Sequence, residues 1–269
     1  ILCFTNAGKV YWLKVYQIPV AGRQSRGRPV VNLLPLEEGE RITSILPVKE
    51  YEEDKFIFMS TARGTVKKTA LTQFARQRSV GLRAIELDEG DSLVNTAITD
   101  GTCDVVLFAS SGKAARFNEA DVRAMGRTSR GVRGIRIADD QSVISMVIPV
   151  AGGNVLTVSE NGYGKRTAVD EFPTKGRGNQ GVIAMQVSER NGALVGAVQV
   201  FDGEEIMLIS DQGTLVRTRV DEVSVLSRNT QGVRLIRLKE GENLVGVERI
   251  QESEEDESDA DEAAVESGE

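Results

Sequence analysis

Hydrophobic and polar positions alternate along this chain in short runs, and the whole pattern returns about every 50 residues. Each unit opens with an apolar run that ends in a glycine-containing turn: ILCFTNAG, FIFMSTARG, VVLFASSG, VLTVSENG and IMLISDQG. Such runs of β-branched and apolar residues, closed by Asn, Asp, Ser and Gly, are typical of a strand that enters a hairpin. A more polar segment follows each turn, so the pattern predicts five β-hairpins.

The second half of each unit also has a regular order. A turn rich in arginine or lysine comes first, as in GRTSRGVRGIRI around Gly131, followed by a third apolar strand, an acidic turn and a fourth strand. Four antiparallel strands per unit predict an all-β, propeller-like array of four-stranded blades. The expected blades are residues 1–50, 51–101, 102–151, 152–202 and 203–250. Helix signals are weak, and residues 70–76 and 118–125 are expected to form single turns at most.

Composition limits the possible functions. Hydrophobic residues make up 40% of the 269 residues but aromatic residues only 5%, so the core must consist mainly of Val, Ile, Leu and Ala. No apolar run approaches the roughly 18 residues of a membrane span, and no signal peptide opens the chain, which predicts a soluble cytoplasmic protein. Cys3 and Cys103 are expected to be reduced. The absence of histidine excludes a His-based catalytic triad and the usual Cys/His zinc sites, and we predict neither catalytic residues nor a metal site.

The net charge of −7 conceals an uneven distribution. Residues 251–269 carry ten acidic and no basic residues, and without them the chain has 33 basic and 30 acidic residues. This segment is too polar to bury a core and is predicted to be a disordered tail. Two interpretations of the tail are open: it keeps the protein soluble, or it competes with a polyanion for the basic turns.

Five basic turns in the same register are the main functional signal. Arginine beside glycine offers a guanidinium group and exposed backbone N–H groups, which suit phosphate oxygens and carry no sequence information. A third strand of seven residues would separate basic from acidic turns by about 23 Å, well beyond a Debye length of roughly 8 Å. The acidic turns are therefore not expected to neutralise the arginines, and aligned blades would form a basic strip for a long polyanion.

Duplex DNA is the partner that this pattern favours. Stacking of single strands would need aromatic residues between the basic ones, and only Phe74, Phe117 and Phe172 lie nearby. The predicted DNA contacts are the basic residues of the turns and of the second strands: Arg23, Arg26, Arg28, Lys67, Lys68, Arg76, Arg78, Arg83, Lys113, Arg116, Arg127, Arg130, Arg133, Lys165, Arg166, Lys175, Arg177, Arg217, Arg219 and Arg228.

Several longer segments resemble a known family. GRPVVNLLPLEEGERITSILPV, RAMGRTSRGVRGIRI, NGYGKRTAV with EFPTK, ERNGALVGAVQV and GTLVRTRVDEVSVLSRNTQGV are similar, in this order, to the C-terminal DNA-wrapping domain of the bacterial DNA gyrase A protein. The resemblance covers residues 1 to about 250. It implies a β-pinwheel that wraps duplex DNA around its basic rim, within an ATP-driven type II topoisomerase that introduces negative supercoils.

The resemblance also implies partners and limits. The rest of the gyrase A protein and the gyrase B protein would complete a heterotetramer of two A and two B chains, with no membrane contact and a nucleoid-associated location. ATP and magnesium would bind elsewhere in the holoenzyme, and this chain would need no cofactor and carry no catalytic residue.

Two departures from the family pattern keep alternatives open. The signature box of one glutamine, two arginines, two glycines, lysine and glycine is not present, and RQRSVG at residues 76–81 is only a partial match. Five repeats are visible where the family usually has six, and Ile1 already lies in a strand pattern, so the chain is expected to be a fragment whose first blade lies upstream. The alternatives are the C-terminal domain of the equivalent topoisomerase IV protein and a propeller-like platform that binds proteins.

Overall fold

The computed structural model describes residues 1–20 and 27–250, which fold into five small antiparallel sheets joined by loops and short 3-10 helices. The predicted all-β class is confirmed. The 3-10 helices are Val15–Gln17, Val30–Asn32, Leu71–Phe74, Glu119–Asp121, Val169–Glu171 and Val220–Glu222. Leu71–Phe74 and Glu119–Asp121 lie where the sequence predicted single turns. No helix in the described part of the chain is long and apolar enough to cross a membrane.

All five predicted hairpins are formed. Their first strands are β1 (Leu2–Thr5), β4 (Phe56–Thr61), β8 (Asp104–Ala109), β12 (Asn154–Ser159) and β16 (Glu205–Ser210). Their second strands are β2 (Lys9–Trp12), β5 (Thr65–Ala70), β9 (Lys113–Asn118), β13 (Tyr163–Ala168) and β17 (Leu215–Arg219). Residues on both faces of most of these strands are buried, because a neighbouring blade or its loops packs on each side.

The fourth strands form the inner edge of the array. They are β3 (Ile42–Leu46), β7 (Leu93–Thr99), β11 (Val143–Val147), β15 (Leu194–Val200) and β19 (Leu244–Ile250). Each pairs with the first strand of its own repeat and lies against the fourth strands of the neighbouring repeats. Together they line a central opening of about 930 Å³.

The third strands differ from the prediction. They are β6 (Leu82–Arg83), β10 (Val132–Arg133), β14 (Val182–Ile183) and β18 (Val233–Arg234), only two residues each. Each pairs with the second strand of the preceding repeat, as β10 does with β5, and forms the outer edge of that sheet. Blades 1 to 4 are therefore each completed by a third strand from the next repeat, an arrangement that we call strand exchange. The fifth sheet has three strands among the described residues, β17-β16-β19.

The corresponding segment of the first repeat is not a strand. The sequence predicted a strand over VVNLLPL, whereas residues Val30–Asn32 form a 3-10 helix with Val31 exposed. In the other repeats this segment pairs with the second strand of the preceding repeat, whereas among the described residues Val30–Asn32 pair with no second strand.

Strand exchange explains why the hairpin turns need glycine. Gly64 has a φ of +83°, and a Cβ atom there would lie 2.9 Å from the carbonyl oxygen of Ile135, just beyond β10. At Gly112 the carbonyl oxygen of Met185 would be only 2.2 Å away. The next repeat thus docks directly onto the turn, and glycine supplies both the positive φ and the space.

Most of the hydrophobic core lies between the blades, and one smaller cluster around Cys3, Tyr11, Leu13 and Leu34 lies within the first repeat. Separate clusters join repeats 1 and 2, 2 and 3, 3 and 4, and 4 and 5. Aromatic pairs recur in these clusters, with ring centroids 6.0 Å apart for Phe4 and Phe74 and 5.7 Å apart for Phe108 and Phe172. The array is therefore stabilised by contacts between neighbouring repeats, as in other repeat proteins.

Candidate nucleic-acid interface

The basic turns lie at the outer edge of the array, where the chain crosses to the preceding blade. Single bridges join Ala124 to Lys68, Thr174 to Arg116 and Val225 to Arg166, so each crossing segment first meets a second strand of the preceding sheet. The basic turn follows, and the two-residue third strand then completes the sheet. Strand exchange thus positions each basic turn against its neighbour.

Backbone hydrogen bonds link successive turns to one another. Glu86 N–H donates to Ser129 O over 3.2 Å, Arg136 N–H to Asn179 O over 2.9 Å and Gln186 N–H to Thr230 O over 2.9 Å. The end of one third-strand segment therefore runs along the basic turn of the next repeat. We call this linked outer surface the basic belt, formed by residues 76–86, 126–136, 176–186 and 227–237.

Many of the predicted contact residues are exposed at this edge or beside it. Two of them, Arg23 and Arg26, lie outside the described residues. Arg127, Arg228 and Arg116 are partly buried. The exposed ones are Arg28, Arg76, Arg78, Arg83, Lys113, Arg130, Arg133, Lys175, Arg177, Arg217 and Arg219.

Lys67 and Lys165 are buried, which corrects the prediction that they face DNA. Both residues have 0% relative exposure. The Lys67 ammonium group donates to Ala84 O (2.8 Å), Arg127 O (2.5 Å) and Ser129 O (3.0 Å). The Lys165 ammonium group donates to the oxygens of the turn in the fifth repeat: Ser227 O (2.6 Å), Arg228 O (2.5 Å) and Thr230 Oγ1 (3.0 Å). With three acceptors each, neither group has a hydrogen left for a phosphate.

Burial of these two charges changes their protonation. Desolvation and the nearby Arg127 lower the pKa of Lys67 from 10.5 to about 8. Desolvation likewise lowers the pKa of Lys165 to about 8, with Glu171 acting in the opposite direction and Arg228 adding to the decrease. Both side chains remain mostly charged at neutral pH.

Lys68, Arg116 and Arg166 occupy equivalent positions and hold the 3-10 segment of the next repeat. The Lys68 ammonium group donates to Glu119 O over 3.0 Å and lies 3.6 Å from the buried carboxylate of Glu119. The Arg116 guanidinium group bonds Asp104 (2.8 Å) as well as the carbonyl oxygens of Val169 and Phe172, and the Arg166 group bonds Val223 O (2.7 Å) and Asp202 (2.5 Å). All three groups tie blades together. Lys68 and Arg166 are buried, which corrects their prediction as phosphate contacts, whereas Arg116 stays partly exposed and its predicted contact stays a prediction.

Some of the predicted arginines at the outer edge also have protein partners. Arg177 donates to Asp121 O (3.0 Å) and Arg133 O (3.2 Å), and Arg228 donates to Ile183 O (2.9 Å). Arg217 is paired with Glu205. These contacts fix the side chains on the outer edge.

The sequence predicted that basic and acidic turns lie about 23 Å apart, and this prediction is wrong for Arg130. Its guanidinium group lies 2.9 Å from Asp88 and 3.4 Å from Glu86, both of the preceding repeat. Strand exchange brings the basic turn of one repeat beside the acidic turn of the previous one. The Arg130 side chain is 64% exposed, however, and such exposed ion pairs are weak, so a phosphate can compete with these carboxylates.

The structure adds basic residues that the sequence analysis missed. Arg136 and Arg237 lie exposed on the belt three residues after Arg133 and Arg234, and this Arg-x-x-Arg spacing in repeats 3 and 5 was the available signal. Arg190 and Arg234 both lie over the Tyr163 ring, with guanidinium carbons 5.0 and 5.3 Å from its centroid. Hydrogen bonds from Arg190 and Arg234 lower the pKa of the Tyr163 hydroxyl. Nothing in the local sequence indicates this grouping.

Two other kinds of site are not favoured. Phe74, Phe117 and Phe172 are fully buried and cannot stack on bases. Ligand atoms of Asp100, Cys103 and Glu119 lie within 4.8 Å of one another, but the Glu119 carboxylate already accepts from the backbone N–H groups of Gly101 and Cys103 (3.0 Å each). It acts as a cap for that loop. Cys3 and Cys103 are both free thiols.

Blades that exchange their outermost strand with the next repeat and carry cationic turns at that edge define a β-pinwheel with a basic outer surface. The chain belongs to the family described as DNA gyrase C-terminal domain, beta-propeller, whose sequence model matches residues 1–49, 55–100, 104–149, 153–200 and 204–251.

Relatives and solved structures agree with this assignment. The chain is 59% identical over 269 residues to the DNA gyrase A protein of Salmonella typhimurium, covering 100% of the chain and 31% of that protein. It is 62% identical over 250 residues to the Buchnera aphidicola protein of the same name, covering 93% of the chain and 30% of the relative. The chain thus spans about a third of these relatives.

Among solved structures, a DNA gyrase A C-terminal domain superposes with a TM-score of 0.81 at 26% identity, over 93% of this chain and 82% of that one. The C-terminal domain of DNA topoisomerase IV gives a TM-score of 0.85 at 23% identity, over 93% and 78% of the two chains, and supports the fold alone.

Proposed function

We propose that this chain binds, bends and wraps duplex DNA around the basic belt, without sequence preference, as the C-terminal part of a DNA gyrase A protein. One observation carries the proposal: hydrogen bonds link the basic turns of repeats 2 to 5 into a continuous cationic outer surface. A polyanion with regularly spaced charges is the ligand that such a surface suits.

The chemistry of the belt supports contact with phosphate rather than with bases. The exposed charged side chains of the belt are all arginines, which bind phosphate oxygens in any sequence context. Bending duplex DNA by 40 to 90° costs on the order of 1–6 kcal/mol, and several phosphate contacts along a curved edge can offset this cost.

The whole protein's role follows from the relatives. We infer that the chain works with the rest of the gyrase A protein and with the gyrase B protein, in a complex of two A and two B chains that uses ATP to introduce negative supercoils. ATP and magnesium would act in those other parts. The residues of this chain would bind and bend the DNA and would take no part in strand cleavage or ATP hydrolysis. A cytoplasmic, nucleoid-associated location belongs to the same proposal.

Salt dependence of duplex binding tests the proposal. For linear duplex DNA of random sequence, log affinity should fall linearly with log salt, with a slope of about −0.9 for each phosphate contacted. Replacing Arg133, which is exposed on the belt, with alanine should weaken binding to all sequences equally and reduce the slope by about 0.9. Arg41→Ala is the matched control, because Arg41 is an exposed arginine at the central opening.

Two results would contradict the proposal. A nearly salt-independent affinity would exclude binding through DNA phosphates. Equal effects of the Arg133 and Arg41 substitutions would exclude the basic belt as the DNA-binding surface. Weak duplex binding that an acidic protein displaces readily would instead favour a protein-docking rim, the other class of function considered for such a surface.

A further inference from the structure

Lys67 and Lys165 are unusual in being buried cations without a carboxylate partner among the described residues. Their acceptors are backbone carbonyl oxygens and one threonine hydroxyl. Removing an ammonium group from water is costly, and dipoles of neutral groups compensate for it less well than a carboxylate does. A charge at these positions is therefore not the most stable choice.

The fold itself does not require a lysine at this position. In the first blade the equivalent residue is Tyr11, whose ring packs against Gly81, and in the third blade it is Ala115. Both are buried, and both blades have the same sheet order as the blades with lysine. The reason for the lysine must therefore lie in what its ammonium group contacts.

The contacted oxygens belong to the basic turns of the next repeat. In the turn of repeat 3 the carbonyl groups of Arg127 and Ser129 point at the Lys67 ammonium group. In a trans peptide the C=O and the following N–H point in opposite directions. The N–H groups of Thr128 and Arg130 therefore point away from the buried ammonium group, and neither has a protein acceptor among the described residues.

The turn of repeat 5 shows that such a group takes an anionic oxygen. The carbonyls of Ser227 and Arg228 point at Lys165, which directs the N–H groups of Arg228 and Asn229 away from it. The N–H of Arg228 donates to the carboxylate of the exposed Glu171 over 3.1 Å. Backbone N–H groups that face outwards from a turn form a recognised kind of anion site.

We propose that Lys67 and Lys165 are positioning residues that hold the basic turns of repeats 3 and 5 with their carbonyl groups inwards, so that the opposite N–H groups bind DNA phosphate oxygens. This inference rests on the proposed DNA-binding function. It assigns phosphate contacts to the backbone N–H groups of Thr128, Arg130 and Asn229 in addition to the arginine side chains, whereas the N–H of Arg228 is taken by Glu171.

The turn of repeat 4 provides the internal comparison. With Ala115 beneath it, this turn is held from within, because the Asn179 side chain bonds both Gly176 O (2.7 Å) and Gly181 N (2.6 Å). Loss of either lysine should therefore loosen the turn above it and leave residues 176–181 unchanged.

The first experiment follows amide protons by NMR in the 269-residue chain as duplex DNA is added. We expect the amide protons of Thr128, Arg130 and Asn229 to shift downfield as they donate to phosphate. If duplex DNA does not bind at all, the proposed function fails. If it binds and these amide signals do not respond, the positioning role is wrong. This measurement needs no variant to fold.

The second experiment uses Lys67→Met and Lys165→Met, with Lys49→Met as the control at an exposed lysine outside the basic belt and outside the predicted contacts. We expect each buried substitution to weaken duplex binding about tenfold, the factor typical for the loss of a hydrogen bond to a charged group. Backbone order parameters should fall in the affected turn only. Unchanged affinity in a folded Lys67→Met variant would overturn the proposal.

A double-mutant cycle separates positioning from general destabilisation. If Lys67 acts through its turn, Lys67→Met should have a smaller effect on affinity in an Arg130→Ala background than in the original chain. Fully additive effects would show that the lysine acts on the fold as a whole and would contradict a positioning role.

Discussion

Charged side chains in this protein have different roles depending on how deep they lie in the blade. Lys67 and Lys68 are adjacent on β5, yet both are buried, since a neighbouring repeat covers each face of the strand. Lys67 contacts the next basic turn, and Lys68 contacts the next 3-10 helix through Glu119. These two lysines thus link repeats, whereas exposed arginines of the turns, such as Arg133, lie open to an external anion.

A direct prediction at this scale concerns the pKa values of the two buried lysines. NMR titration of lysine side-chain signals should show Lys67 and Lys165 losing their protons near pH 8, because burial lowers the pKa of each from the ordinary lysine value of 10.5. Two signals that titrate with the exposed lysines would contradict the buried geometry.

The same pKa values predict how stability depends on pH. Below pH 8 both lysines are charged in the folded and unfolded chains, so burial of the charge opposes folding in full. Between pH 8 and 10.5 the folded protein releases protons that the unfolded chain retains, and stability from these groups should rise with pH. Denaturant unfolding of Lys67→Met and Lys165→Met should show a smaller rise over this range than the original chain.

Among the structural elements, the hairpin turns allow a test of strand exchange, because the next repeat covers some of their glycines and not others. Gly112 and Gly213 have nearly the same φ, +77° and +82°, but only Gly112 is covered by the next repeat. Alanine at either position incurs the cost of a positive φ, roughly 1–2 kcal/mol. Gly112→Ala should cost about 1–3 kcal/mol more, the typical penalty for overpacking, because its Cβ would meet Met185 O.

Urea unfolding of the two variants measures this difference directly. A similar loss of stability in Gly112→Ala and Gly213→Ala would mean that the third strand does not dock on the turn as described. The comparison is well matched, since both glycines also close their turns with the same kind of backbone hydrogen bond, to Ala109 O and to Ser210 O.

The predictability of each element depended on whether its partners are local. Hairpins such as β4 with β5 follow from alternating residues and a turn glycine, all within about 15 residues. The partner of β10 lies over 60 residues away in the preceding repeat, and no local pattern encodes that choice. The burial of Lys165 and the ion pairs of Arg130 depend on the same strand exchange. The sequence could therefore indicate a basic outer edge, but not which basic side chains are exposed there and which are buried.

At the scale of the whole molecule, charge is divided between a folded array and its C-terminal segment. The array has 33 basic and 30 acidic residues, whereas residues 251–269 add ten acidic residues and no basic one. The segment lies outside the described residues. It follows Ile250, the last residue of β19 at the inner edge of the fifth blade. The segment either aids solubility alone or also competes with DNA for the basic belt. Competition would act through long-range electrostatic attraction between the acidic segment and the belt.

Deletion of residues 251–269 separates these two interpretations. The change raises the net charge from −7 to +3. If the segment competes for the basic belt, duplex affinity should increase on deletion, most strongly at low salt, and the gain should shrink as the Debye length falls from about 30 Å at 0.01 M to about 8 Å at 0.15 M salt. A tail of scrambled sequence but equal charge should restore the weaker binding, since competition by charge does not depend on order. An affinity that is the same with and without the segment at 0.01 M salt would leave solubility as its function.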